Sequence, residues 1–120
     1  MPTVLALGLD PAFVKLPNNP ELTPEIVRAF IETQLERVRG LGYVVQNCFV
    51  DLGETAEAVT SRYLRAQAFD CVLIGAGLRA PEQFLLFEKL INVVHALAPK
   101  AKICFNSTPA DSAEAVQRWV

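Results

Sequence analysis

The fold is decided by the stretch CVLIGAGLRAP at Cys71–Pro81. Four apolar residues are followed by a glycine-rich turn, and a helical pattern begins at Pro81. The same arrangement recurs at three other short apolar runs, each ending in a glycine or a small polar residue: Val4–Leu9, Tyr43–Val50 and Ile103–Phe105. Strand and helix signals that alternate at this spacing are typical of parallel βαβ units.

The polarity of the strands predicts their order in the sheet. The first strand, Thr3–Leu9, and the third, Cys71–Ile74, are apolar throughout, as expected of interior parallel strands. The second strand carries Gln46 and Asn47, and the fourth, Ala101–Asn106, alternates polar and apolar residues, which suits a sheet edge. The sequence therefore predicts a four-stranded parallel sheet of order 2-1-3-4.

Helical patterns connect these strands and complete the fold class. Thr23 and Pro24 are typical of a helix N-terminus, and the apolar stripe after them predicts a helix to about Arg39. Three more helices are predicted, one capped by Asp51 or Thr55, one over Pro81–Ala98 and one from Asp111 to the C-terminus. Right-handed crossovers place the first and last helices on one face and the other two on the opposite face. We expect residues 1–120 to form one three-layer α/β/α sandwich, which resembles the flavodoxin-like (Rossmann-like) fold without its fifth strand.

Composition and charge exclude several classes of function. The 120 residues carry a net charge of −2 with no block of lysines or arginines, so a nucleic-acid partner is not expected. No apolar run approaches the ~18 residues of a membrane span, and Met1-Pro2 leads directly into a strand rather than a secretory signal. The cysteines Cys48, Cys71 and Cys104 lie in predicted strands without metal-site spacing. They are expected to be buried, reduced thiols in a cytoplasmic protein.

The strand order also predicts where a ligand site should lie. The chain reverses direction between the first and third strands, so a crevice is expected between the loops Asp10–Leu22 and Gly75–Ala80. The first of these loops is unusually long and rich in proline, which is typical of a stiff lid. Phe13 and Leu16 would cover a ligand there. Polar contacts would come from Lys15, Asn18 and Asn19.

The residues around this crevice predict an anion pocket. Gly75 and Gly77 would permit positive φ angles and a close approach of the backbone, and Arg79 would hold a carboxylate or a phosphate. The alternative is that the glycines only turn the chain and that Arg79 is solvated. The candidate ligand-binding residues are Gly75, Gly77, Arg79, Ser107 and Thr108.

Acidic residues at the strand ends are candidates for catalysis. Asp10 and Asp51 follow neighbouring strands, so Asp10 is a candidate acid or base, or the pair a Mg²⁺ site. The alternative is that both residues cap turns and helices. Acids at strand ends are similar to those of response-regulator receivers, but Gly75 stands where a receiver carries its phosphorylated aspartate. That resemblance implies a shared fold and no phosphotransfer, and we expect no metal site.

The third predicted helix is apolar around most of its circumference. In a domain of this size only one face of a helix meets the sheet, so Phe84–Leu97 predicts an exposed apolar patch and a homodimer through this helix or the edge of the fourth strand. Coverage of the helix by its neighbours is the alternative. The sequence thus leaves two functions open: binding or conversion of a small anionic metabolite at the crevice, or a non-catalytic homodimeric interaction module.

Overall fold

Four strands form one all-parallel sheet of order β2-β1-β3-β4 in the computed structural model, which describes residues 1–14 and 21–120. The strands are β1 (Thr3–Leu9), β2 (Val44–Val50), β3 (Cys71–Ile74) and β4 (Lys102–Phe105). The predicted sheet and its order are confirmed, with the apolar β1 and β3 inside and the more polar β2 and β4 at the edges.

Helices cover both faces of the sheet, as predicted. They are α1 (Pro24–Gly40), α2 (Ala56–Ala66), α3 (Phe84–Leu97) and α4 (Ser112–Gln117), with α1 and α4 on one face and α2 and α3 on the other. The chain is therefore a three-layer α/β/α sandwich of the flavodoxin-like type. None of the helices in the described ranges is long and apolar enough to cross a bilayer.

Helix α1 begins and ends at residues whose side chains or backbone favour a helix terminus. The Thr23 hydroxyl accepts a hydrogen bond from the Ile26 amide at 3.2 Å, and Pro24 occupies the first helical position, where a missing amide hydrogen is harmless. After the helix, Gly42 has a φ of 102°, a conformation that glycine adopts without a steric penalty. The helix therefore stops where the chain must turn into β2.

The third helix begins later than predicted. Pro81–Gln83 forms a 3₁₀ turn, and α3 starts only at Phe84. Its apolar residues are mostly covered, because α3 packs against α2 as well as the sheet. Among its large apolar side chains only Phe84 and Leu85 are more than half exposed, at 59% and 67%. The apolar patch expected on this helix is thus confined to its first turn.

The two faces of β1 carry side chains of different sizes. Leu5, Leu7 and Leu9 pack into the core under α2 and α3. Val4 and Ala6 face α1 and α4, and strand alternation puts Gly8 on that same side. Side-chain size on the α1 face therefore falls from valine to alanine to glycine towards the carboxyl end of the strand.

Candidate functional site: a cavity beneath α1

A cavity of about 200 Å³ lies between the sheet and α1, at the carboxyl edge of the strands. Residues from all four strands or the turns after them contribute to its lining, among them Asn47, Gly8, Gly75 and Asn106. The cavity therefore spans the point where the chain reverses direction between β1 and β3, the usual place for a ligand in such sheets. Ligand binding at this point stays a prediction.

Small residues on the two central strands make the floor of the cavity. A Cβ atom built on Gly8 would meet nothing closer than the Phe49 ring at 3.9 Å, and one on Gly75 would lie 3.6 Å from the Leu7 carbonyl oxygen. Room for a Cβ atom exists at both positions and is left unfilled. The cavity thus follows from side-chain size rather than from an unusual backbone.

Neither Gly75 nor Gly77 adopts the positive φ that a glycine permits. Among the described glycines, only Gly42 and Gly53 have positive φ. At Gly77 the requirement is instead close approach, since a Cβ there would come within 3.4 Å of Leu9 Cβ and 3.8 Å of Val14 Cγ2. Gly77 therefore lets the turn after β3 pack directly against the loop after β1.

The parts of the cavity wall contributed by α1 and by the loop after β1 are aliphatic. Val27, Ile31 and Leu35 are four residues apart on α1, so they form one stripe of that helix and face the sheet. Pro11 and Val14 line the cavity from the loop after β1. The predicted contacts of Lys15, Leu16, Asn18 and Asn19 lie outside the described residues.

Asp10, the candidate acid or base, joins this loop to α1. Its carboxylate accepts a hydrogen bond from the Ala12 amide at 3.0 Å and from Arg28 Nη2 at 2.5 Å. The Ala12 amide, together with the Arg28 guanidinium, holds the pKa of Asp10 below its usual value against the opposing effect of burial. The carboxylate is thus ionised at neutral pH and takes part in a turn and an ion pair, and its catalytic role stays a prediction.

Asp51 makes a separate set of hydrogen bonds at the start of α2. Its carboxylate accepts from the Gly53 amide at 3.0 Å and from the amide and the hydroxyl of Thr55, the latter at 2.7 Å. The hydrogen bonds from Thr55 and Gly53 lower the pKa of Asp51. No group of three or more His, Cys, Asp or Glu side chains that could hold a metal ion occurs among residues 1–14 and 21–120.

Arg79 forms hydrogen bonds with the ends of both β3 and β4. Its Nε donates to the Ile74 carbonyl at 3.3 Å, and its Nη2 donates to both the carbonyl and the side-chain oxygen of Asn106. The guanidinium carbon lies 4.9 Å from the centre of the Phe105 ring, and burial lowers the pKa of Arg79. Arg79 neither lines the cavity nor turns away to solvent, the two outcomes that the sequence left open.

Ser107 and Thr108 form the turn after β4. Their backbone amides donate to Asp111 Oδ1 at 2.8 and 3.2 Å, and the Thr108 hydroxyl accepts from the Ala110 amide. These contacts start the short 3₁₀ turn that leads into α4. The structure therefore brings Gly75 and Gly77 to the cavity and leaves Arg79, Ser107 and Thr108 in neighbouring turns. Ligand binding by these residues stays a prediction.

Three polar side chains line the cavity, those of Asn47, Asn106 and Ser112. None of them was among the candidate ligand-binding residues. Asn106 is only 6% exposed; its Nδ2 donates to Ser112 Oγ at 3.1 Å and its Oδ1 accepts from the Ala76 amide. By contrast, the Asn47 side chain makes no hydrogen bond with any other described residue. A signal for it existed in β2, because alternation places Asn47 on the same face as the buried Val45.

The cysteines on this face form a buried thiol pair. The Sγ atoms of Cys71 and Cys104 are 3.3 Å apart, and this contact lowers the pKa of Cys71 while raising that of Cys104. Strand pairing puts Leu73, not Cys71, opposite Cys104. Two residues of offset on adjacent strands separate the Cα atoms by about 8 Å, beyond the ~7 Å limit for a disulfide. Both residues are free cysteines in the structure, and this register does not favour a disulfide between them.

Comparison with known protein families found no match for this chain, and comparison with curated proteins found no significant sequence relative. The cavity and the residues around it are therefore the features of this chain that bear on its function.

Proposed function

We propose that this protein binds a small, largely apolar molecule in the cavity beneath α1. The single observation that carries the proposal is the cavity itself, about 200 Å³ of mostly apolar space that is partly open to solvent. Protein interiors leave few voids larger than a water molecule, and an apolar cavity of about 150 Å³ holds a ligand the size of benzene. The space is therefore sufficient for one aromatic ring or a short aliphatic chain.

The lining favours a neutral ligand over an anion. None of the described residues that line the cavity carries a charge, and Arg28 and Arg79 are both engaged by other groups. The anionic metabolite predicted from the sequence stays the alternative ligand, with Arg79, Ser107 and Thr108 as its candidate contacts. We assign no reaction, since Asp10 alone does not define one.

The proposal is tested by thermal denaturation with a panel of small aromatic, aliphatic and carboxylate compounds. A ligand present at 100 times its Kd stabilises the fold by about 2.7 kcal/mol, which raises the Tm by roughly 10 °C. Gly75→Val adds a side chain on the cavity floor, and Gly40→Val adds the same one where a Cβ would meet nothing within 4 Å. We expect the shift to disappear in the first variant and persist in the second. A shift that survives Gly75→Val, or the absence of any shift in the parent, would overturn the proposal.

A second proposal is a homodimer through the first turn of α3. The observation that favours it is the exposure of Phe84 and Leu85, two large apolar side chains next to each other on the surface. The edge strand β4, where Phe105 is 40% exposed, is the other candidate surface. Sedimentation of the parent and of Leu85→Glu tests the idea: a dimer that the variant dissociates supports it, and a monomeric parent refutes it.

The cysteines support placing this function in a reducing compartment such as the cytoplasm. Cys48, Cys71 and Cys104 are all free and buried, and burial raises the pKa of the Cys48 thiol to about 11. Such thiols behave as small hydrophobic residues and are compatible with a reducing environment.

A further inference from the structure

We infer that the ligand carries one neutral head group that both donates and accepts hydrogen bonds, and that Asn47 receives it. A primary carboxamide, a lactam edge and an un-ionised carboxylic acid have this chemistry. The inference rests on the proposed function, because it assumes that the cavity is a binding site. It adds the class of the polar group and the side chain that recognises it.

The position of Asn47 in the sheet brings its side chain to one end of the cavity. It lies on the edge strand β2, directly beside Ala6 of β1, and faces α1 by alternation with Val45. Ala6 carries only a methyl group, so nothing large stands between the Asn47 amide and the floor of the cavity. The polar group is therefore accessible from inside the cavity.

The hydrogen bonds of the other polar lining residues single out Asn47. The Asn106 amide is used by Ser112 and Ala76, and the Ser112 hydroxyl donates to the Pro109 carbonyl at 2.8 Å. Asn47 is half-buried and has no such partner among the described residues. A ligand that displaces water from this amide without replacing its hydrogen bonds loses affinity, so the amide favours a ligand that supplies a partner.

The shape of the cavity assigns the two ends of the ligand. The lining reaches from Asn47 on β2 to Asn106 after β4, which is three strand spacings or about 14 Å across the sheet. At the β4 end the polar groups already bond to one another, and between the ends lie Leu73 and the glycines of the floor. The head group therefore binds under β2, and the apolar body extends towards β3.

The amide chemistry of Asn47 excludes an ionised carboxylate as the best head group. The Asn side chain offers two hydrogens and one oxygen acceptor, so a ligand that donates and accepts can form two hydrogen bonds with it. A carboxylate only accepts, and no charged side chain of the described lining would compensate its loss of hydration. Benzamide is thus expected to bind better than benzoate, although the two are nearly identical in shape.

Isothermal titration with matched compounds tests the head group apart from the cavity. Benzamide, benzoate and toluene share one ring, and hexanamide, hexanoate and hexane provide the same comparison on a chain. We expect the better of the two amides to bind the parent about tenfold more tightly than its hydrocarbon. Asn47→Leu should remove that preference while retaining hydrocarbon binding. Asn92→Leu, which changes an exposed asparagine of α3, is the matched control and should behave like the parent.

The outcomes separate the inference from the proposed function. Equal binding of amide and hydrocarbon by the parent, unchanged in Asn47→Leu, would overturn the inference and leave the cavity as a binding site. Preference for the carboxylate would also overturn it, in favour of the anionic ligand. If none of the six compounds binds the parent, the proposed function and the inference both fail.

Discussion

The two faces of the sheet bury side chains of different sizes, and the cavity lies on the face with the smaller ones. The core under α2 and α3 is built mainly from leucine, isoleucine and valine, whereas alanine and cysteine make up about half of the buried core under α1 and α4. Strand β1 alternates between the two faces in the order Val4, Leu5, Ala6, Leu7, Gly8 and Leu9. A helix packed over the tapering side cannot reach the floor at its carboxyl end, so space remains there.

This difference implies a division of roles between the faces. A close-packed core contributes stability, because deletion of buried groups leaves cavities that the surroundings do not refill. A face that already contains a cavity gives up part of that contribution. The cavity therefore lowers the free energy of unfolding. A loss of stability at that position is consistent with a binding function there.

The largest expected effect is a contrast between two buried leucines. Leu5→Ala on the α2 face should lower the free energy of unfolding by about 4–5 kcal/mol, the upper part of the range for such changes. Leu35→Ala on α1 should cost only about 2–3 kcal/mol, because Leu35 already borders the cavity and makes fewer contacts. Urea denaturation of both variants provides the comparison. Equal losses would mean that the two faces are packed alike.

Arg79→Ala should lower stability without affecting binding in the cavity. The guanidinium bonds to the Ile74 and Asn106 carbonyls and stacks on Phe105, so its loss should cost about 1–3 kcal/mol. Arg65→Ala, at an exposed position on α2, should change stability by less than about 0.5 kcal/mol. Both can be measured by urea denaturation and by titration with a ligand of the parent. Loss of ligand binding in Arg79→Ala at normal stability would instead support the anion pocket.

Asp10→Asn should weaken the attachment of the cavity loop to α1 in a pH-dependent way. The Ala12 amide and Arg28 lower the pKa of Asp10, so its contribution is present above the unfolded pKa of about 4 and is lost as the pH falls through the lower folded pKa. Because the ion pair is partly exposed, we expect a loss of at most about 1 kcal/mol at pH 7. The difference from the parent should vanish at acid pH in a series of urea titrations. A difference that does not depend on pH would contradict the ion pair.

The smallest expected effect is a gain in stability on the cavity floor. Gly8→Ala adds a methyl group at a position with room and a permitted backbone conformation, so stability should rise by about 0.5 kcal/mol. Gly53→Ala is the control, because its φ of 131° is strained for alanine and stability should fall. Thermal denaturation distinguishes the two signs. A loss of stability in Gly8→Ala would show that the floor is already filled.

The sequence predicted the sheet well because strand order depends on polarity. The polar Gln46 and Asn47 marked β2 as an edge, and the uninterrupted Cys71–Ile74 marked β3 as central. These signals are local, and burial in a parallel sheet leaves few alternatives. The location expected for a site, at the reversal between β1 and β3, followed from that order.

The side chains of the site were much less predictable. Arg79 has a long and flexible side chain, and whether it meets an anion or the Asn106 carbonyl depends on how closely the end of β4 approaches. Whether the Asn47 side chain finds a partner likewise depends on the distance of α1 from the sheet, which no local pattern encodes. The taper of Val4, Ala6 and Gly8 was visible in the sequence, but it becomes a cavity only once α1 is placed above it.

Methyl NMR of the protein with the best-binding compound of the panel tests the central claim most directly. Val27, Ile31 and Leu35 line the cavity, whereas Leu90 and Val94 are buried under the opposite face. If the cavity is the binding site, saturating compound should shift the methyl signals of the first three residues and leave those of the last two unchanged. Shifts centred on Leu90 and Val94, or no methyl shift at all, would contradict the account.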